Sequence, residues 1–320
     1  MLSKKYDAAL DVIRIIACFL VIVEHTILQA GGQLSYLIYV FSKASVYLFF
    51  IISGMVLFKR SYSYREIGEK VAKTMLTIVL VSFYYLYFIE NVPFDFIDYV
   101  RRIINYPVSI YLWYLYVMII VYLSLPLLYK LVNQMEKKDF HYYFLICFGI
   151  YIVMTLLQDL NIVPVFGYLV PGIFVDIYGL LMIGVYESRY QLTNQLGIRK
   201  LGFGFVVSYL ICYVGSILGF GYNGEVLLYG IVMFMFLKCL IDRVRIEDLQ
   251  RWIQRIAILT YGVYLFHVPI FEHLKELGLV AKSVPLILLV DVGVFVGCLL
   301  LCKLLSYVPV AGWCLQTRRK

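Results

Sequence analysis

The sequence has few charged residues, and this scarcity excludes most classes of soluble protein. Only 15% of its 320 residues are Asp, Glu, Lys or Arg, whereas 63% are hydrophobic. Soluble globular proteins have about 25% charged and about 45–50% apolar residues, and disordered chains have still fewer apolar residues. The composition therefore excludes a soluble globular domain, a disordered chain and a collagen-like fibre. It is typical of a protein with several membrane spans.

The sequence also lacks paired cysteines, a serine-nucleophile motif and a long polar stretch. The seven cysteines are scattered and none forms a C-x-x-C pair, so we expect neither a disulfide framework nor a metal site and interpret all seven as packing residues. No G-x-S-x-G motif surrounds Ser53, which argues against a serine nucleophile. The longest polar stretch, residues 90–107, is too short for a soluble domain. We therefore predict a single domain over residues 1–320.

Long apolar segments predict an all-α, polytopic membrane bundle of about ten helices. The segments lie at roughly 8–29, 36–58, 72–90, 110–130, 141–157, 167–186, 201–219, 224–241, 256–273 and 283–307. If the N-terminus lies inside and the segments alternate, 22 of the 28 Lys and Arg residues fall on the inner side, five on the outer side and Arg14 within the first segment. Because cytoplasmic loops concentrate positive charge, this distribution predicts an N-in, C-in orientation. It also explains the net charge of +8 without a nucleic-acid partner.

The first segment contains the densest set of ionisable residues, and such residues are rare within a membrane span unless they have a function. Asp11, Arg14, Cys18 and His25 share one helical stripe, with Arg14 and His25 about three turns or ~16 Å apart along the axis. Glu24 points about 100° away from His25. Asp11 and Arg14 could simply neutralise each other at the membrane surface. That interpretation leaves His25 unexplained, so we favour a charged path that leads to His25 as a buried general base.

Further candidates lie in the loop after the second segment and in the later segments. Lys59, Arg60, Arg65, Lys70 and Lys73 either set the orientation or hold the phosphates of a nucleotide-bearing donor. His267 is a second intramembrane histidine, and Tyr264 precedes it by three residues, so the phenol and the imidazole can meet on one helical face. Ser53 and Gly54 favour a close approach of helices, and Trp113 is typical of an outer aromatic belt.

These motifs together resemble the membrane-bound acyltransferase-3 family. The resemblance is carried by Asp11-x-x-Arg14 with His25, by Phe49-Phe-Ile-Ile-Ser-Gly54, by Trp113-Tyr-Leu with Tyr122 and Pro126, by Tyr261–Pro269, and by Leu304-Leu-Ser-Tyr-Val-Pro309. They occur in the family's order along the whole chain. Two positions differ: the family's basic RxxR motif is Lys70-Val-Ala-Lys73 here, and a histidine that often precedes the tryptophan is Tyr111. Lysine keeps the positive charge but lacks the bidentate fork of arginine.

The resemblance implies an enzyme that transfers an acyl group, usually acetyl, from cytoplasmic acyl-CoA to a hydroxyl of a cell-envelope polysaccharide or lipid-linked glycan. It implies Arg14 and His25 as the essential pair, with Asp11 orienting Arg14. Donor-binding candidates are Lys70, Lys73, Arg60, Arg65 and Ser53; acceptor-binding candidates are Glu24, Tyr264, His267 and Trp113. We expect acetyl-CoA as donor, no metal, no fused SGNH-type hydrolase domain, and a location in the bacterial plasma membrane among its lipids.

Two mechanisms and one other function stay open at this point. His25 either deprotonates the acceptor hydroxyl for direct attack on the thioester or carries the acyl group transiently. The alternative function is a transporter or flippase for an amino acid or a glycan intermediate, in which the charged stripe would be a proton path.

Overall fold

In the computed structural model, which describes residues 7–159, 172–219 and 224–315, the chain forms helices and no β-strand within these ranges. The α-helices of the described residues are α1 Ala8–Thr26, α2 Gly32–Ser42, α3 Ser45–Leu57, α4 Tyr64–Tyr84, α5 Phe96–Asn105, α6 Trp113–Gln134, α7 Lys137–Asp159, α8 Gly172–Tyr190, α9 Leu192–Leu218, α10 Gly224–Ile241, α11 Gln250–Glu276, α12 Val284–Leu305 and α13 Pro309–Cys314. The predicted all-α class is confirmed.

Several helical segments match the predicted membrane spans. In the described part of the chain, seven are long and apolar enough to cross a membrane: Gly32–Leu57, Tyr64–Ile89, Ile110–Gln134, Leu192–Leu218, Gly224–Ile241, Glu247–Glu276 and Val284–Leu305. Helices α1, α7 and α8 coincide with the other three predicted spans. The chain is thus a multi-pass membrane bundle, while the number ten and the N-in, C-in orientation stay predictions. The start of the predicted span 167–186, Lys4, Lys5 and residues 318–320 lie outside the described residues.

The chain divides into two compact units. The first contains Met1–Lys59, Gln134–Ala257 and Ser283–Leu288, and the second contains Arg60–Asn133, Ile258–Lys282 and Leu289–Lys320. Nothing in this division tests the predicted single domain, which stays a prediction.

Close contact between α3 and α8 holds the first unit together. A Cβ atom on Gly54 of α3 would overlap the Leu181 carbonyl of α8, and one on Gly184 of α8 would overlap the Ile51 carbonyl of α3. Lipid tails are as apolar as the side chains, so helices in a membrane associate through such tight packing of small residues. The predicted close approach at Gly54 is confirmed. Helix α3 also contacts α1.

The second unit has a compact apolar core formed by α4, α6 and α11. Its buried residues are Ile78, Val81, Tyr85, Leu112, Leu115, Leu265, Val268 and Leu315. Helix α4 begins with a capping box: the Ser63 hydroxyl accepts the backbone N–H of Glu66, and the Glu66 carboxylate accepts the backbone N–H of Ser63. Both bonds use backbone donors that have no partner inside the helix.

Three irregularities interrupt the helices of the described residues. The long span Gly32–Leu57 is broken at Lys43 and Ala44, between α2 and α3. Gly197 has a φ of 74° and forms a kink that divides α9 into two helical parts. A π-helical turn, Tyr85–Ile89, extends the end of α4. Such turns are frequent at functional sites.

All seven cysteines are buried thiols, in agreement with their interpretation as packing residues. Cys18 lies on the same stripe of α1 as the candidate residues, and Cys302 packs against Gly262 within the second unit.

We predict that Gly54→Ala lowers the free energy of unfolding by about 1–3 kcal/mol, because the added methyl group forces α3 and α8 apart. The matched control is Gly149→Ala on α7, where an added Cβ meets no atom within 4 Å. That change should leave stability equal or slightly higher, since alanine favours a helix over glycine by about 1 kcal/mol. Thermal unfolding of the purified protein in detergent measures both. Equal midpoints for the two variants would contradict the prediction.

Candidate functional site

The ionisable stripe of α1 begins with an ion pair. Nη1 of Arg14 lies 3.1 Å from Oδ1 of Asp11, one turn away on the same helix. Asp11 is buried, while about a third of the Arg14 side chain, 30%, is exposed. By accepting one N–H, the Asp11 carboxylate fixes the guanidinium group of Arg14. That group has five N–H donors, so others are able to bind a further anion.

His25 lies in the last turn of α1 and is exposed, so the predicted burial of this residue is wrong. Its neighbours Ile22, Val23 and Thr26 are all buried. The reason for the difference is that α1 ends at Thr26 and continues as a 3₁₀ turn, Ile27–Ala30, which leaves the imidazole at the helix end. A polar ring that is accessible at the end of a buried helix is well placed to meet a substrate.

Glu24, the residue before His25, contacts the N-terminus of α3. Its carboxylate accepts a hydrogen bond of 2.9 Å from the hydroxyl of Ser45, the first residue of α3. A carboxylate at a helix N-terminus is stabilised by the helix dipole. Glu24 therefore anchors α1 to α3. Ser53, a donor-binding candidate, is half-buried on α3 beside Gly54.

In the second unit, Lys70 and Lys73 lie one turn apart on α4, and each contacts aromatic rings. Nζ of Lys70 lies 5.3 Å from the centre of the Tyr62 ring and 5.2 Å from that of Tyr122. Nζ of Lys73 lies 5.0 Å from the centre of the Trp313 ring. Neither lysine forms an ion pair with a carboxylate of the described residues. The rings attract the ammonium groups without neutralising them, so the positive charge stays available to an anion.

Arg60 and Arg65 differ from the lysines because each has a carboxylate partner. Nη2 of Arg60 lies 2.7 Å from Glu66, and its guanidinium group lies 4.0 Å from the centre of the Tyr62 ring. The hydrogen bond to Glu66 raises the pKa of Arg60. Arg65 pairs with Glu69 at 3.5 Å on the exposed surface of α4. Of the four basic candidates in this unit, Lys70 and Lys73 therefore fit a phosphate group better.

His267 is fully buried in the second unit. Its Nδ1–H donates to the carbonyl of Tyr264 at 2.8 Å, within its own helix. The rings of His267 and Tyr264 are 6.3 Å apart, but the Tyr264 hydroxyl donates to the Tyr111 carbonyl. The two side chains thus share a helical face, as predicted, while the phenol bonds the backbone near the start of α6. Trp113, the first residue of α6, is 38% exposed.

Sequence reasoning missed several buried ionisable residues. Asp291 is completely buried in α12, and Glu187 of α8 is buried and accepts the backbone N–H of Thr193 at the start of α9. Lys238 of α10 pairs with Asp242 at 2.7 Å. The sequence did contain a signal for Asp291, because a single acidic residue within a long apolar segment indicates a functional candidate. No sequence pattern indicated the rings around Lys70 and Lys73.

The predicted site residues are distributed between the two units. The first unit contains Asp11, Arg14, Glu24, His25 and Ser53, and the second contains Arg60, Arg65, Lys70, Lys73, Trp113, Tyr264 and His267. Within the units, the structure brings Asp11 to Arg14 and groups Lys70 with Lys73.

Comparison with known proteins agrees with this arrangement of motifs. The model of the acyltransferase-3 family, described as an acyltransferase domain, matches residues 7–305. No curated protein and no solved structure matches the chain. The matched range covers most of the chain and includes every predicted site residue. The chain therefore belongs to the acyltransferase-3 family and is a membrane acyltransferase.

Proposed function

We propose that the protein is an O-acyltransferase that moves an acetyl group from cytoplasmic acetyl-CoA to a hydroxyl of a cell-envelope polysaccharide or lipid-linked glycan, in a bacterial plasma membrane. The observation that carries the proposal is the exposed His25 at the end of α1, on the same stripe as the Arg14–Asp11 ion pair. An acyltransferase needs a base that reaches the acceptor hydroxyl. His25 is an accessible histidine in the first unit, within the most charged of the apolar segments.

His25 has the chemistry for this role. A neutral imidazole nitrogen takes the proton of the acceptor hydroxyl as the oxygen forms its new bond to the acyl carbon. The acyl carbon–sulfur bond of the donor thioester breaks in the same transfer, and CoA leaves as a thiol after taking the proton from the imidazolium. The same nitrogen can instead carry the acyl group for a short time, which keeps the relay mechanism within the proposal. In the relay, His25 is the leaving group of the second step, and its nitrogen takes the proton of the acceptor hydroxyl as its bond to the acyl carbon breaks.

Arg14 is assigned to an anionic part of the donor, with Asp11 as its positioning residue. The 3.1 Å bond to Asp11 holds the guanidinium group in one orientation and leaves further N–H donors for a phosphate oxygen. Because Arg14 is partly exposed, a ligand can reach it. Arg14 therefore binds the donor, and Asp11 acts through it.

Lys70 and Lys73 are assigned to the phosphates of acetyl-CoA. They fit this group because two ammonium ions one turn apart, held on aromatic faces without carboxylate partners among the described residues, form a strong anion site. Arg60 is already paired with Glu66 and contributes positive potential nearby. Ser53, Glu24, Trp113, Tyr264 and His267 stay candidates for donor or acceptor contacts, and the burial of His267 gives its acceptor role no support.

We predict that His25→Ala abolishes acetylation of the envelope glycan, with a loss of at least about 100-fold, the lower range for removal of a general base. Glycans from cells that lack the chain, complemented with wild type or variant, are compared by mass spectrometry for a base-labile acetyl increment. The matched control is His141→Gln: His141 is an exposed histidine of the first unit that bonds the Tyr186 hydroxyl at 2.9 Å. The His141→Gln variant should transfer the acetyl group at the wild-type rate.

An active and well-expressed His25→Ala protein would refute the assignment of His25. Wild-type complementation that leaves every glycan unchanged, together with transport by the purified protein in the absence of acyl-CoA, would instead favour the transporter or flippase.

We predict that Lys70→Gln and Lys73→Gln each weaken the binding of CoA by about tenfold or more, since a hydrogen bond to a charged group contributes about 1.5–3 kcal/mol. Binding of pantetheine, which lacks the nucleotide phosphates, should not change. Titration calorimetry on the purified protein measures both ligands. Lys130→Gln is the control, because it removes one exposed positive charge from α6 of the same unit. Equal losses for CoA and pantetheine would show that the lysines do not hold the phosphates.

We predict that Asp11→Asn lowers the rate of transfer by a smaller factor than His25→Ala, because the amide still accepts a bond from Arg14 but lacks the charge that fixes it. Asp11→Ala should lower the rate further and raise KM for acetyl-CoA. A comparison of kcat and KM for the two variants tests the positioning role. Equal rates for Asp11→Ala and wild type would exclude it.

A further inference from the structure

A second group of ionisable side chains lies in the second unit, away from the proposed donor site. The hydroxyl of Tyr84, the last residue of α4, lies 2.6 Å from Nε2 of His273 on α11. Nδ1 of the same ring lies 2.9 Å from a carboxylate oxygen of Glu276, one turn later. A phenol, an imidazole and a carboxylate thus form a continuous chain of hydrogen bonds.

The directions of these bonds follow from the chemistry of the groups. A carboxylate accepts and does not donate, so we assign the proton of the bond to Glu276 to Nδ1 of His273. In the neutral ring Nε2 is then the acceptor, and the Tyr84 hydroxyl donates to it. This order is that of a catalytic triad: a nucleophile within 2.6–3.2 Å of a base, and the base oriented by a third group.

One side chain of the triad packs against a neighbouring ring, and the other two are accessible. The Tyr84 ring stacks on Phe88 at 5.4 Å, within the π-helical turn that follows it. The side chains of His273 and Glu276 are 42% and 54% exposed. Lys275 pairs with Glu272 at 2.7 Å, so the nearby lysine does not compete for Glu276. Along α4, Tyr84 lies eleven residues or ~16 Å from Lys73, so the triad is separate from the proposed phosphate site.

We propose that Tyr84, His273 and Glu276 form a nucleophilic triad that accepts an acyl group on the Tyr84 hydroxyl and passes it to an alcohol or to water. The proposal rests on the proposed function in one respect: the acyl-transfer activity of the chain is the natural source of the acyl group. Tyrosine is among the side chains that form covalent intermediates in enzymes, and an aryl ester is a reactive acyl donor.

The two steps balance. In the first, the Tyr84 oxygen bonds to the acyl carbon and its proton moves to Nε2 of His273; the bond from the acyl carbon to the leaving group then breaks, and the leaving group takes that proton from Nε2. In the second, an alcohol or water oxygen bonds to the acyl carbon and gives its proton to Nε2. The bond to the Tyr84 oxygen then breaks, and the phenolate takes the proton back from the imidazolium. Glu276 stabilises the imidazolium in both steps.

The test treats the purified full-length protein with p-nitrophenyl acetate and follows acetylation of each tyrosine by mass spectrometry. We expect Tyr84 to be acetylated faster than Tyr106, which is 77% exposed and serves as an internal control for simple exposure. His273→Gln should lower the rate at Tyr84 by at least about 100-fold, as for the loss of a general base. Lys275→Gln, in the same turn of α11, should leave that rate unchanged.

Glu276→Gln provides a second, milder variant in case His273→Gln disturbs folding. Its amide oxygen still accepts the Nδ1–H bond, but without the negative charge the rate at Tyr84 should fall while the rate at Tyr106 stays the same. Acetylation of Tyr84 that is no faster than that of Tyr106, or that is unaffected by His273→Gln and Glu276→Gln, would overturn the proposal.

Because the ester supplies the acyl group directly, Tyr84 in the His25→Ala variant should be acetylated by the ester at the wild-type rate. A failure of the His25 assignment is thereby distinguished from a failure of the triad.

Discussion

A membrane interior offers no water, and this constraint governs the whole structure. Every backbone N–H and C=O within it needs a partner in the same segment, which restricts spanning segments to helices in a chain of this kind. The described residues form helices and no β-strand, as this rule requires. The same constraint acts on side chains: a charge inside the bundle persists only with a partner or a function. Asp11 with Arg14, Glu24 with Ser45 and Lys238 with Asp242 show how the chain meets it.

The partner of each charge separates structural residues from candidate functional ones. Arg60 and Arg65 each have a carboxylate, whereas Lys70 and Lys73 rest on aromatic rings. An ammonium group on a ring keeps its full charge, so an incoming anion gains attraction without breaking an existing ion pair. Charge alone did not reveal this difference, because a cluster of positive residues next to a span also fits a role in orienting the chain.

Sequence reasoning succeeded where one helix determines the outcome. Helical periodicity placed Asp11, Arg14 and His25 on one stripe and Glu24 on another, and the small residues at Ser53 and Gly54 indicated close packing before its partner was known. Sequence reasoning failed where contacts between two helices determine the outcome. The bond from Tyr264 to the Tyr111 carbonyl and the approach of His273 to Tyr84 depend on residues far apart in the chain. Periodicity within one segment contains no information about such pairs.

The capping box at the start of α4 has a consequence for ligand binding. Glu66 closes the first turn of the helix through Ser63 and at the same time holds Arg60, so one carboxylate ties the loop, the helix end and a guanidinium group together. All of these bonds are formed by residues of the chain itself. The entropy of ordering that loop is thus lost when the chain folds rather than when a ligand arrives, and pre-organisation of this kind increases affinity without adding a contact.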